Sequence, residues 1–178
     1  MEERGVGLEP PSRTPGQRFV TETPDLEQNL AVAKIRAWQT TAITELISFR
    51  GDLTVVVPRE QLRPLTEFLA GDKELAYTYL SDVTAVDRFP DEPRFELNYH
   101  LLSLSRRDSL CLRVRLPGNS PAIETVIPVW PTANWHEREI FDLFGIRFEG
   151  HPDLRRMLLP DDWEGYPLRK DYPVEGPR

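Results

Sequence analysis

Apolar residues recur at a period of two in some stretches of this chain and near 3.6 in others, and the order of those stretches sketches a fold. In RFELNYHLLSLS (94–105), Phe95, Leu97, Tyr99 and Leu101 alternate with Arg94, Glu96, Asn98 and His100. That alternation predicts a strand with one buried and one wet face. AYTYLSDVTAVDR (76–88) and SLCLRVRLP (109–117) read as two more strands, rich in the β-branched and aromatic residues that suit a pleated surface. AITELISFRGDLTVVVP (42–58) divides into two strands about a tight turn at Arg50, Gly51 and Asp52, where glycine supplies the positive φ.

Helical spacing occurs in three places. Leu26, Leu30, Ala33 and Ala37 keep step from Asp25 to a stop near Trp38. Pro58 suits the start of a helix over 59–71, which puts Leu62, Leu65, Phe68 and Leu69 on one face and ends at Gly71; Pro64 fits only if it lies in the first turns. TANWHEREIFDLFG (132–145) predicts a helix with Gly145 as its C-terminal cap, preceded by SPAIETVIPVWP (120–131) as a helical turn and connector.

This order predicts an α+β fold: a two-layer domain with helices on one face of a mixed, mostly antiparallel sheet, plus an extended C-terminal tail. Residues 1–24, with four prolines and three glycines, read as a flexible leader, 25–145 as the domain and 146–178 as the tail. Pro152, Pro160, Pro167, Pro173 and Pro177 bar the tail from any long helix or central strand. Yet it carries Leu154, Met157, Leu158, Leu159, Trp163, Tyr166, Leu168 and Tyr172, more large anchors than a disordered segment holds. A preformed surface is needed to order it. The expectation is that another protein supplies that surface; folding back on its own domain is the competing reading.

Charge narrows the function. A net charge of -7 repels phosphate backbones and anionic lipid, so nucleic acid is not an expected partner. No run of eighteen apolar residues occurs, and the first residues lack the apolar core of a signal peptide, which predicts a cytoplasmic chain. The single cysteine, Cys111, rules out an internal disulfide and a cysteine-ligated iron-sulfur cluster held by this chain alone.

The charged helix invites a search for chemistry. His136 and Glu137 begin like a zinc-binding HExxH helix, but position 140 is Ile. A stand-alone metal-dependent hydrolase would have to use His136, Glu139 and His151. Glu137, Glu139 and Asp142 could do acid-base work, although on an exposed helix they would simply be solvated, with Arg138 pairing to Asp142. No dinucleotide, P-loop or nucleophile-elbow motif occurs. In the tail, Arg155-Arg156, Asp161-Asp162-Trp163-Glu164 and Arg169-Lys170-Asp171 suit paired recognition at an interface.

The stretch WHEREIFDLFGIRFEGHPDLRRMLLPDDWEGYPLRKDYP (135–173) closely resembles the signature region of the 30 kDa subunit, also termed the C subunit, of the proton-pumping NADH:quinone oxidoreductase, respiratory complex I. The matching residues are Glu137-Arg138-Glu139, Asp142, Gly145, Gly150-His151-Pro152, Arg155-Arg156 and Asp162-Trp163-Glu164-Gly165, with Tyr166 where many members carry histidine. FRGDLTVVVPRE (49–60), YLSDVTAVD (79–87) and YHLLSL (99–104) fit as well, so the resemblance spans about 42–174. It implies a non-catalytic subunit of the peripheral arm with no cofactor of its own, the FMN and iron-sulfur clusters lying in partner subunits. It also implies packing against the D and B subunits on the cytoplasmic side of the inner membrane, with membrane association only through the complex. The equivalent subunit of a membrane-bound hydrogenase or ferredoxin-linked complex is the near alternative. Glu137, Arg138, Glu139, Asp142, His151, Arg155, Arg156, Trp163, Tyr166, Arg169, Lys170 and Tyr172 are the expected interface residues.

Overall fold

The computed structural model describes residues 26–173 and 175; the leader read over 1–24 lies outside the described residues. Strands β1 (Glu45–Phe49) and β2 (Asp52–Val56) meet through Arg50 and Gly51, whose φ angles of 55° and 94° give the two-residue turn that matches strand twist. β2 then pairs in parallel with β5 (Asp108–Leu116), and β5 pairs antiparallel with β4 (Phe95–Ser103). β3 (Tyr79–Asp87) closes the far edge, antiparallel to β4, with an irregularity between Leu80 and Asp82. The sheet order is β1-β2-β5-β4-β3.

One face of this sheet is the core. Val55, Leu112, Tyr99 and Val83 stand opposite one another across four strands, and all are buried. Helices α1 (Leu30–Trp38) and α2 (Arg59–Gly71) add Val32, Ile35, Leu62, Leu65 and Leu69 to it. Asn29 starts α1 by accepting a hydrogen bond from the Ala31 N–H at 2.8 Å. Pro64 sits inside α2, beyond its first turn, and Trp38 stacks on Phe68 with ring centroids 5.1 Å apart.

Two sequence expectations need correction. The polar side of β4 is not wet: Glu96 and Asn98 are buried, because Arg88 and Arg115 pair with Glu96 and Arg113 donates to Asn98. Only His100 on that side is exposed. Residues 120–131 do not form a helical turn and connector alone, since Ala122–Glu124 is a strand, β6, paired in parallel with β7 (Arg147–Glu149). Ile146 and Phe148 are buried, so the core runs past the boundary read at 145.

Helix α3 (Ala133–Phe144) packs against β3 and β7. It ends at Gly145, whose φ of 71° lies in the left-handed region and whose N–H bonds to the Phe141 carbonyl. A Cβ there would also collide with the Tyr166 ring. Residues 150–173 contain no helix or strand; they form a strap laid back across α3. The competing reading of the tail is therefore the one this chain adopts.

Gly145→Ala should lower stability by at least about 1–2 kcal/mol from the left-handed backbone alone. It should also free Tyr166, so Tyr166→Ala in the same chain should recover part of the loss. Thermal unfolding of the two variants checks this; equal melting temperatures for wild type and Gly145→Ala would contradict it.

Candidate functional site

Three charged side chains on α3 decide how the C-terminal half is held. Glu137 and Asp142 are fully buried, and Arg138 is nearly so. The expectation of solvated carboxylates on an exposed helix is thus overturned for Glu137 and Asp142, while Glu139 is exposed as expected, and the Arg138 to Asp142 ion pair is not formed.

Glu137 points into the protein. Its Oε1 accepts the Val126 N–H at 2.8 Å and its Oε2 accepts the Thr125 hydroxyl, tying α3 to the end of β6. Burial pushes this carboxyl up to about 7, against the opposing pull of Thr125, Val126 and the positive Arg63. The Tyr99 hydroxyl, buried and without a hydrogen-bond partner among the described residues, is pushed well above its usual range by burial and then by Glu137.

Asp142 points outward under the strap. Its Oδ2 accepts three successive backbone N–H groups, of Met157, Leu158 and Leu159, at 3.1, 2.8 and 2.9 Å. Its Oδ1 accepts Arg156 Nη1 at 2.8 Å. Burial alone would push the carboxyl up, but these donors outweigh it and hold Asp142 below the usual carboxylate range. Arg156 also donates through Nη2 to the carbonyls of Trp163 and Gly165 at 3.0 and 3.3 Å, so one ion pair fixes two turns of the strap. Arg138 lies over the Trp135 ring and donates to the Arg155 and Arg156 carbonyls.

The far end of the strap is clasped separately. Arg169 Nε donates to the Phe144 carbonyl at 2.6 Å, and its guanidinium lies over Phe95 and Tyr166. Arg94 donates to both oxygens of Asp87 and both of Asp171, and the Lys170 N–H reaches Asp87 at 2.8 Å. Burial opposes ionisation of Asp87, but Arg94 holds its carboxyl well below the usual range.

Of the expected interface residues, Glu137, Arg138, Asp142, Arg156 and Arg169 are therefore spent inside the chain. Tyr166 packs under Arg156 and Arg169, and Tyr172 reaches the Glu164 carbonyl. His151 accepts the Asp153 N–H at Nδ1 and lies 3.5 Å from the Asn134 carbonyl through Nε2, and burial lowers its proton affinity. Arg155 pairs with Asp153 at the surface. Glu139, Trp163 and Lys170 remain exposed. Sequence reasoning missed Thr125, Asp87, Arg94 and Asp171 as holding residues and Trp135 as an exposed apolar one, while Leu158 and Leu168, two of the tail anchors it named, are exposed.

Stand-alone chemistry finds little support. His136 pairs with Asp82 at 3.3 Å, and no group of three His, Cys, Asp or Glu side chains suited to a metal gathers among the described residues. A groove of about 810 Å³ on the open sheet face is lined by Asp82, His100 and Cys111, neighbours across β3, β4 and β5. Burial pushes the Cys111 thiol up, the opposite of an activated nucleophile.

The family model for the respiratory-chain NADH dehydrogenase 30 kDa subunit matches residues 55–178. The C subunit of the NADH-quinone oxidoreductase of Geotalea uraniireducens (strain Rf4) is 47% identical over 151 residues, covering 85% of this chain and 91% of that protein. Its counterpart in Roseiflexus sp. (strain RS-1) is 44% identical over 149 residues, covering 84% and 86%. Among solved structures, the trypsin-resistant fragment (1-134) of Nqo5 superposes with a TM-score of 0.59 at 32% identity, covering 70% of this chain and all of that one. A chain of the membrane-bound sulfane sulfur reductase, an archaeal respiratory membrane complex, gives 0.68 at 29% identity, covering 80% and 84%.

The two carboxylates should behave differently when altered. The folded chain holds a proton on Glu137 that the unfolded chain releases above its ordinary pKa near 4.5, so this contribution is full below about 4.5 and lost as pH rises through about 7. Between pH 5 and 8 wild type should lose on the order of 3 kcal/mol more stability than Glu137→Gln; denaturant unfolding at the two pH values measures it, and parallel losses would refute it. Asp142→Asn replaces one acceptor oxygen by a donor and leaves Arg156 without its carboxylate, which should cost about 3 kcal/mol. Limited proteolysis should then cut the strap faster than in wild type while the sheet stays protected.

Proposed function

We infer the role of this chain from the family to which it belongs, the 30 kDa subunit family of respiratory-chain NADH dehydrogenase: it serves as the 30 kDa subunit of an NADH-quinone oxidoreductase. The observation that carries this reading is the coverage of its relatives. Identity of 47% extends over 85% of the chain, and the family match over residues 55–178 takes in α3 and the strap, in which the charged residues are already committed to fixed geometry. The likeness to the sulfane sulfur reductase chain supports a shared fold, while the higher identity to the NADH-quinone oxidoreductase subunits favours that complex.

Within the complex we assign this chain a structural task. Glu137, Asp142 and Asp87 are each hydrogen-bonded to donors within the chain, which supports a holding role for all three. On this reading FMN and the iron-sulfur clusters reside in partner subunits, and this chain packs against the D and B subunits in the arm on the cytoplasmic side of the membrane. Electron transfer to quinone and the coupled proton translocation are then properties of the assembly. No helix among the described residues is long and apolar enough to cross a membrane, which agrees with attachment through partners.

Deleting this chain should abolish NADH:quinone activity of the membranes, and supplying it in trans should restore it. The purified chain should neither oxidise NADH nor absorb visible light. Membranes that keep full activity after deletion, or a chromophore that survives stringent purification, would overturn the assignment.

A further inference from the structure

The strap sorts its charges by direction. Arg156 and Arg169 turn inward to Asp142 and to the Phe144 carbonyl, and Arg155 is neutralised by Asp153. Asp161, Asp162 and Glu164 are exposed and make no side-chain hydrogen bond or ion pair with other described residues. Trp163 stands among them, 37% exposed, in a turn closed by its own N–H to the Pro160 carbonyl.

Three other large apolar side chains are exposed on backbone that is held to α3. Leu158 is 58% exposed and hangs from Asp142 through its N–H, and Leu168 is 50% exposed and hangs from the Leu143 carbonyl. Trp135, 61% exposed, lies under the Arg138 guanidinium, which itself grips the strap. All four are therefore anchored to α3 between positions 135 and 143, a span of about 12 Å along a helix. A water-exposed row of two tryptophans and two leucines, held by buried ion pairs, is costly unless it is covered.

We propose that this row is a docking surface for a positively charged partner subunit, whose Lys and Arg side chains face Asp161, Asp162 and Glu164 while Trp163 seats in an apolar socket. The proposal rests on the reading of this chain as part of a larger complex and specifies the chemistry of the surface it meets. Charge selects the occupant. Phosphate backbones and anionic lipid are repelled by the three acids, and a second copy of this chain would set the same acids against one another. The arrangement also inverts the expectation from sequence: the arginines hold the strap, and the partner brings the cations.

The test uses the intact complex purified from cells that carry a variant of this chain, washed through a salt series while retention of the chain is measured. Asp161→Asn with Asp162→Asn and Glu164→Gln should be released at roughly one-third of the salt that releases wild type, and Trp163→Ala should dissociate at least about tenfold faster. Changing the three acids to Lys should exclude the chain from the complex. Their side chains are exposed and make no hydrogen bond or ion pair with other described residues, so the melting temperatures of the purified variants should match wild type, which separates lost docking from lost folding. Retention of the neutralised and the Lys variants up to the wild-type salt concentration would overturn the proposal and leave the family role standing. Absence of the wild-type chain from the purified complex would overturn both.

Discussion

Asp142 is the constraint on which the C-terminal third of this chain depends. A fully buried carboxylate without partners would be protonated or would unfold its surroundings. Here it is compensated by three consecutive backbone N–H groups and one guanidinium, all from a segment fourteen to seventeen residues downstream. Neither element is stable in this form without the other. The strap closes only isolated turns with its own backbone hydrogen bonds, because prolines interrupt it, and α3 cannot bury Asp142 unless the strap is in place.

Glu137 shows the same logic turned inward. Two donors satisfy one oxygen each, but no cation makes a direct contact, and Arg63 acts only at longer range through the Thr125 carbonyl that it hydrogen-bonds. Asp142 has a guanidinium and a ring of amide protons; Glu137 has an amide and a hydroxyl. Both are closed to solvent, but Glu137 lies deeper in the protein, and that depth together with the difference in partners is why one carboxyl is pulled down and the other pushed up. A proton on Glu137 is thus a means of burying it, whereas Asp142 is buried as an anion.

How much of this the sequence disclosed depended on the range of the interaction. The hairpin at Arg50-Gly51, the 59–71 helix and the Gly145 cap are local, set by spacing and by residues that tolerate positive φ, and they were legible. The burial of Glu137 and Asp142 was not, since what covers them comes from residues 125–126 and 156–159. The Asp87, Arg94 and Asp171 clasp joins residues 77 apart, with no periodic signal to connect them. The β6 strand was hidden for a related reason: three residues are too few to show alternation, and its partner β7 lies beyond the intervening helix. The tail's abundance of apolar anchors announces that it must cover something, and nothing in its composition says whether that surface is its own.

That ambiguity resolves once the strap is recognised as having two faces with different chemistry. A segment without helix or strand must satisfy its N–H and C=O groups by side chains, and here Asp142, Arg138, Arg156 and Arg169 do so from the domain side or by reaching back to it. Using the cations in this way fixes the backbone, and a fixed backbone presents the remaining side chains at set positions with little entropy left to lose on binding. What remains around Trp163 is acidic, Asp161, Asp162 and Glu164, with the exposed Lys170 further along the strap. The internal clasps thus determine the shape of the outer surface around Trp163 and its sign there, so that the same ion pairs which complete the fold of this protein also preorganise the face proposed to meet a partner.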